Sequence, residues 1–120
     1  MKKIWIFIAF SGALAVIMGA MSAHMLKDIL EVKDIDRIQT AATYQIYHTL
    51  LIAMLAVYYR YNQHKAIQQS VWVFVSGIVL FSGSLYLYTL TKIQTLVFVT
   101  PIGGILLILG WLSLVRLGKR

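Results

Sequence analysis

Residues 4–23 read IWIFIAFSGALAVIMGAMSA, a run of 20 residues without a single charged side chain. An α-helix of ~20 apolar residues is long enough to cross the ~30 Å hydrocarbon core of a bilayer. Three further uncharged stretches follow at residues 40–59, 71–90 and 96–115. We therefore predict an all-α integral membrane protein, a four-helix up-down bundle that forms a single transmembrane domain over residues 1–120.

Composition narrows the class further. Of the 120 residues, 60% are hydrophobic and 12% are charged, a balance that a soluble domain of this size could not keep without large exposed apolar patches. The chain has no cysteine, which excludes disulfides, thiol nucleophiles and cysteine-ligated metals. The net charge of +7 lies at the ends of the predicted helices. We therefore expect the lipid bilayer, and not nucleic acid, as the partner of these charges.

Basic residues are unequally distributed between the two ends of the helices. The opposite end from the N-terminus has four basic residues, at positions 27, 33, 37 and 92, and all four acidic residues of the chain, at 28, 31, 34 and 36. Because loops rich in Lys and Arg stay in the cytoplasm, we expect a multi-pass protein of the cell membrane with both termini cytoplasmic. Trp5, Trp72 and Trp111 are predicted to form an aromatic belt at the cytoplasmic interface. The basic residues at the N-terminal end are Lys2, Lys3, Arg60, Lys65, Arg116, Lys119 and Arg120.

The connector between the first two spans has helical periodicity of its own. Apolar residues at 25, 26, 29, 30, 35 and 38 alternate with charged residues at 27, 28, 31, 33 and 34. This pattern predicts a short amphipathic helix in the outer interface, either as a simple strap or as a lid.

Small residues predict where the helices approach one another. Helices in lipid gain little from apolar contact alone, so close packing depends on small side chains. Pairs of small residues recur seven positions apart on helices one, three and four, which suits near-parallel crossings. The predicted packing glycines are Gly12, Gly19, Gly83, Gly103 and Gly110.

Polar residues within the spans are the candidates for a site, because hydrocarbon penalises them unless they are paired. His48 lies ~12 Å from Thr40, Ser84 ~9 Å from Leu90 and Thr100 ~6 Å from Leu96, each measured from the outer edge of its span, so all three fall in the predicted outer half. We expect Tyr44, Gln45, His48, Ser84 and Thr100 to form one connected network there. The full set of ligand-binding candidates is His24, Tyr44, Gln45, His48, Ser82, Ser84, Tyr86 and Thr100.

Several functions are compatible with such a cluster. It could be a structural hydrogen-bond network, or a pocket for a lipid, a quinone or a haem held between His24 and His48. No metal site is predicted, since zinc would need a third ligand and the spans contain no carboxylate or cysteine. The missing carboxylate also argues against a proton-coupled transporter. Ser82 or Ser84 with His48 is the one candidate catalytic pair, and no carboxylate is placed to orient it.

The first expectation is therefore a non-enzymatic membrane protein that binds a lipid-like or protein partner through the outer cluster. The alternative is a redox accessory protein that binds haem or quinone. Self-association and the identity of any cofactor are left open by the sequence.

Five segments, taken in order, resemble the domain-of-unknown-function 423 family, a group of small bacterial inner-membrane proteins that includes animal transmembrane protein 256. The resemblance covers nearly the whole chain and implies a four-span membrane protein, but it implies no activity. One departure is Ser22, where the family usually has glycine in Gly-Ala-x-Gly-Ala-His. The segments are GAMSAHML (19–26), YQIYH (44–48), FSGSLY (81–86), TPIGG (100–104) and GW (110–111).

Overall fold

The fold is known from a computed structural model, which describes residues 1–119 and contains four α-helices and no strand within that range. Arg120, which the charge count includes, lies outside the described residues. Short 3-10 helices follow the first and the last α-helix, at Leu26–Asp28 and Leu114–Lys119. The α-helices are α1 (Lys2–Ala23), α2 (Val32–Tyr61), α3 (Lys65–Thr91) and α4 (Thr95–Ser113).

Each helix is long and apolar enough to cross a membrane, as predicted. Helix α1 has 22 residues, α2 has 30, α3 has 27, and α4 with the following 3-10 turn provides a 24-residue span. A bilayer core needs only ~20 residues. The all-α architecture with four membrane-spanning helices is therefore confirmed, and the surplus length of α2 extends beyond the predicted span 40–59.

The additional residues at the start of α2 change the interpretation of the connector after α1. The predicted amphipathic helix is present only as the 3-10 helix Leu26–Asp28. Its second half, from Val32 onward, belongs to α2 instead. The separate helix was wrong because helical periodicity in this segment marks the first turns of α2, which continue without a break into the apolar span.

The helices pack in chain order. Helix α2 contacts α1 and α3, and α3 contacts α4, whereas no Cα atoms within 8 Å join α1 to α4, α1 to α3 or α2 to α4. Neighbours are antiparallel, since the start of α2 meets the end of α3 at Asp34 and Lys92, and Ser70 of α3 meets Ser113 of α4. The central pair α2–α3 thus carries one outer helix on each side. Two grooves result, one between α1 and α3 and the other between α2 and α4.

Helices α3 and α4 are held closest together by glycines. A Cβ at Gly103 would lie 2.3 Å from the backbone nitrogen of Phe81, and one at Gly110 would lie 2.7 Å from the Phe74 ring. On α3 the matching residue is Gly77, where a Cβ would lie 2.6 Å from Leu107.

Other predicted packing glycines have more space. A Cβ at Gly19 or Gly83 would meet no atom within 4 Å, so these two glycines do not support close helix contacts. At Gly12 the nearest atom would be Thr49 Cγ2 at 4.0 Å, an ordinary contact. The seven-residue spacing identified small residues correctly, but not the rotation of α1 and α3 that decides which of them face a neighbour.

Candidate functional site

Gln45 is the centre of a hydrogen-bond network that joins the first three helices. Its Nε2 donates to Ser11 Oγ at 3.1 Å, and its Oε1 accepts from the Tyr86 hydroxyl at 2.7 Å. Ser11 shares a further hydrogen bond of 2.8 Å with Thr49. Gln45, Ser11 and Thr49 are buried. Both ends of the amide are thereby satisfied by side chains from α1 and α3.

His48 belongs to a second group, between α2 and α4. Its Nε2 accepts a 3.0 Å hydrogen bond from Trp111 Nε1, and its Nδ1 lies 2.6 Å from the carbonyl oxygen of Tyr44. An indole N–H only donates, and a carbonyl only accepts. The imidazole must therefore be the neutral Nδ1–H tautomer, with both nitrogens engaged. Neither nitrogen is free to ligate haem iron in this arrangement.

Ser84 and Thr100 form a third group between α3 and α4. Their hydroxyls bond one another, and each also lies within hydrogen-bond distance of a carbonyl in its own helix, Phe81 for Ser84 and Leu96 for Thr100; one hydroxyl donates to the other, which in turn donates to its own carbonyl. Ser82 donates instead to the carbonyl of Ala41 on α2, at 2.8 Å. Neither serine contacts His48, so the structure does not assemble the serine–histidine pair considered from sequence.

The predicted single network is therefore wrong: its members separate into three groups. The reason lies in helix geometry, because successive residues are rotated by ~100° about the axis. Gln45 and His48 differ by about 60° and face different neighbours across α2. His24 is further removed, since it is exposed where α1 ends and its backbone N–H bonds to Ala20 and Met21. No group of three His, Cys, Asp or Glu side chains suited to a metal occurs among residues 1–119.

The groove between α2 and α4 is the larger of the two inner grooves. It has a volume of about 640 Å³. Its walls carry the rings of Tyr44, Tyr47, Phe81 and Trp111, with His48 at the base. Tyr44 is 43% exposed and Tyr47 is 60% exposed, and neither hydroxyl bonds to any other residue in the described part of the chain. This groove therefore presents two unpaired hydroxyl groups beside aromatic rings.

The groove between α1 and α3 differs in its polar groups. Its volume is about 290 Å³, with Phe7 and Phe10 on one wall and Ile78 on the other. Gln45 and Tyr86 lie at its base, but they already bond one another. A ligand would have to compete with that bond.

A charged cluster joins the outer ends of α2 and α3. The buried carboxylate of Asp34 pairs with Arg37 at 2.7 Å and with Lys92. Both cations also lie over the Tyr88 ring, at 5.0 and 5.2 Å from its centroid. Because Asp34 lies in the first turn of α2 and Lys92 follows the last residue of α3, this ion pair places the start of α2 at the level of the end of α3.

Sequence reasoning missed Ser11, Thr49 and Trp111. Trp111 was assigned to the interfacial belt, yet it lies against His48 and donates to it. Thr49 could have been found because it follows Gln45 by one helical turn. Ser11 carries a weaker signal, a lone hydroxyl in an apolar span next to a glycine.

Comparison with known proteins agrees with this architecture. The family model described as "Protein of unknown function (DUF423)" matches residues 18–104. A UPF0382 membrane protein of Haemophilus influenzae is 40% identical over 114 residues, which cover 94% of this chain and 90% of the relative. A UPF0382 membrane protein of Staphylococcus epidermidis is 40% identical over 115 residues, with 96% and 93% covered.

The UPF0382 inner membrane protein YgdD of Escherichia coli K12 is 40% identical over 114 residues, covering 88% of this chain and 81% of the relative. No solved structure matches the chain. The family match and the relatives together show that this chain belongs to the DUF423 family of membrane proteins, whose function is unknown.

Proposed function

We propose that the protein is a non-enzymatic membrane protein that binds a lipid-like molecule in the groove between α2 and α4. The observation that carries the proposal is the pair of hydroxyls on Tyr44 and Tyr47, which have no partner among the described residues. A polar group in an apolar medium without a partner is penalised by roughly 2–7 kcal/mol. An ester, phosphate or carbonyl oxygen of a bound amphiphile would accept from both hydroxyls.

The shape and lining of the groove support an amphiphile. Small-molecule sites are commonly ~300–1,000 Å³ and lined by apolar and aromatic groups with a few polar ones, and about 640 Å³ falls within that range. Along α4 from the level of Tyr44 the lining continues with Leu107 and Ile108, and Trp111 lies one turn beyond them. A polar head near Tyr44 with an apolar chain along α4 would match both parts.

The proposed orientation places these tyrosines in the outer half of the cell membrane, with both termini in the cytoplasm. The unequal distribution of Lys and Arg supports it. Tyr44 then lies ~6 Å, and Tyr47 ~10 Å, below the level of Thr40. At that depth a lipid bound in the groove could place its polar head beside the two tyrosine hydroxyls and still reach the headgroup region of the bilayer.

A quinone is the second candidate, because the rings of Tyr44, Phe81 and Trp111 could stack on a planar head and phenolic hydroxyls could donate to its carbonyls. The haem alternative has less support, since both nitrogens of His48 are engaged and His24 is remote from it.

Lipid analysis of the purified protein tests the proposal. The full chain is extracted in mild detergent, and bound molecules are identified by native mass spectrometry. The Tyr44→Phe/Tyr47→Phe double variant keeps both rings and removes both hydroxyls. At about 1 kcal/mol for each hydrogen bond, retention of the ligand should fall by roughly tenfold or more. Glycerolipid and quinone are distinguished by mass.

Two leucine substitutions serve as matched controls for the site. Gly104→Leu places a side chain in the α2–α4 groove and should displace the ligand, whereas Gly83→Leu fills the α1–α3 groove and should not. Retention lost only in Gly83→Leu would move the site to the other groove. A double phenylalanine variant that keeps its full complement of lipid would refute the role of the hydroxyls.

A further inference from the structure

A further concave surface, distinct from the two grooves described above, lies near the end of α2, beside the start of α1. It is a cavity of about 450 Å³ lined by Lys2, Trp5, Ala56, Tyr59 and Arg60, among others. It shares no lining residue with the α2–α4 groove. Anything it binds is therefore independent of the ligand proposed above.

The charges in this cavity have no counter-charge among the residues that the structure describes. The ion pairs within residues 1–119 both involve Asp34, at the far end of α2. All four acidic residues of the chain lie between positions 28 and 36. Lys2 and Arg60 consequently have no carboxylate partner within residues 1–119. Arg116, at the same end, differs because it donates to Gln69 and to the carbonyl of Ala66.

Arg60 is held in place without its hydrogen-bond donors being used. Its guanidinium carbon lies 5.5 Å from the centroid of the Trp5 ring, which itself packs against the buried core. No side-chain hydrogen bond of Arg60, Tyr59 or Gln63 is formed within the described residues. A guanidinium with free N–H groups matches a phosphate in a bidentate manner. The Tyr59 hydroxyl and the Gln63 amide add neutral hydrogen-bond donors at the same rim.

The floor of the cavity continues into hydrocarbon. Ala56 is buried beneath the charged rim, and the adjoining faces of α1 and α2 expose Ile6 and Val57. Trp and Tyr side chains such as those of Trp5 and Tyr59 favour the level of lipid headgroups. Cations above and apolar surface below are complementary to an anionic amphiphile rather than to a soluble anion.

We propose that this cavity binds the phosphate of an anionic phospholipid, whose acyl chains lie along the exposed apolar faces of α1 and α2. Arg60 and Lys2 provide the positive charge, and Tyr59 and Gln63 donate further hydrogen bonds to the headgroup. The site belongs to the membrane leaflet on the side where α1 begins and α2 ends.

Lipid titration of the full chain in neutral detergent tests the site. Short-chain phosphatidylglycerol should bind in native mass spectrometry and raise the unfolding temperature, and short-chain phosphatidylcholine should do so more weakly. Arg60→Gln should reduce the affinity for phosphatidylglycerol by about tenfold. Lys65→Gln is the control, because it removes the same charge from an exposed residue at the same end that does not line the cavity. It should change the affinity by less than ~twofold.

Other outcomes would overturn the proposal. Equal losses in Arg60→Gln and Lys65→Gln would mean a diffuse surface attraction, and equal binding of the two lipids would remove the role of charge. Inorganic phosphate that stabilises the protein at the same concentration would identify a free-phosphate site instead. If Arg60→Gln fails to fold, Lys2→Gln replaces it, with an expected loss of roughly fivefold; an unchanged affinity would contradict the site.

Discussion

At the scale of single residues, polar side chains between the helices are paired with one another across helix boundaries. Gln45 joins three helices, and His48 joins α2 to Trp111 of α4. No buried side-chain nitrogen or oxygen atom in residues 1–119 lacks a hydrogen-bond partner. Since partners must lie at the same depth, each bond sets the position of one helix along the axis of the next.

Substitution of Gln45 tests the energetic contribution of this pairing. Gln45→Leu leaves the Tyr86 hydroxyl without its acceptor, so we expect the free energy of unfolding to fall by about 1–3 kcal/mol. Adding Tyr86→Phe removes the orphaned hydroxyl. The double variant should therefore be more stable than the sum of the single losses predicts, by ~0.6 kcal/mol and at most ~1.7 kcal/mol.

Unfolding in mixed micelles measures all three variants. Ser76→Ala is a suitable control, because that exposed hydroxyl donates only to the Trp72 carbonyl of its own helix. Strict additivity of the Gln45 and Tyr86 variants would show that the bond between them contributes nothing.

Not every partner at this scale could be predicted from the sequence. Gln45 and Tyr86 were identified because an amide or a phenol within an apolar span demands a partner. Ser11 and Thr49 were not, because hydroxyls can also bond to carbonyls of their own helix. The partner of Trp111 was missed for a different reason: indole favours the interface, and only the rotation and depth of α4 reveal that its N–H meets His48.

At the scale of elements, the contact between α3 and α4 is the tightest. Gly103 lies against backbone atoms of Leu80 and Phe81, which cannot move aside as a flexible side chain could. Gly110 lies against Phe74, which is fully buried. These contacts explain why α4, which reaches α2 only through side chains such as Trp111, remains attached to the bundle.

Single methyl groups can probe this contact. Gly103→Ala should force α3 and α4 apart and lower the free energy of unfolding by roughly 1–3 kcal/mol, the usual cost of overpacking. Gly83→Ala is the matched substitution on the facing helix, at a position with no atom within 4 Å, and it should be neutral or slightly stabilising. A reversed order of the two unfolding temperatures in detergent would contradict the observed helix rotation.

The limits of the helices were less predictable than their number. The apolar run predicts the membrane-embedded part of α2 from residue 40, whereas the helix begins at Val32. Hydropathy marks where a helix passes from the membrane into water, whereas the helix itself continues until its backbone leaves the helical conformation. At the end of α3 that turn is made by Lys92 with φ of 57°, which no apolar count could identify.

At the scale of the whole molecule, the open arrangement of helices explains where ligands can bind. A closed bundle would bury both inner grooves, but here α1 and α4 are separated by the central pair. The proposed amphiphile site and the proposed phosphate site lie at different levels of α2, along residues 44–50 and along residues 56–60. The charges are also unequally distributed along α2, since the acidic residues of the chain occur only at the end that carries Asp34.

The orientation of this asymmetry in the membrane is the remaining prediction. The natural sequence contains no cysteine, so a single introduced thiol is an unambiguous reporter. Glu31 is exposed between α1 and α2, and Gln63 is exposed between α2 and α3. We therefore choose Glu31→Cys and Gln63→Cys as the two reporters. A membrane-impermeant maleimide should label the first in intact cells and the second only after permeabilisation, because the Lys- and Arg-rich end remains cytoplasmic. The reverse pattern would invert the molecule and move Tyr44 and Tyr47 to the inner leaflet, while labelling of both thiols in intact cells would indicate dual insertion.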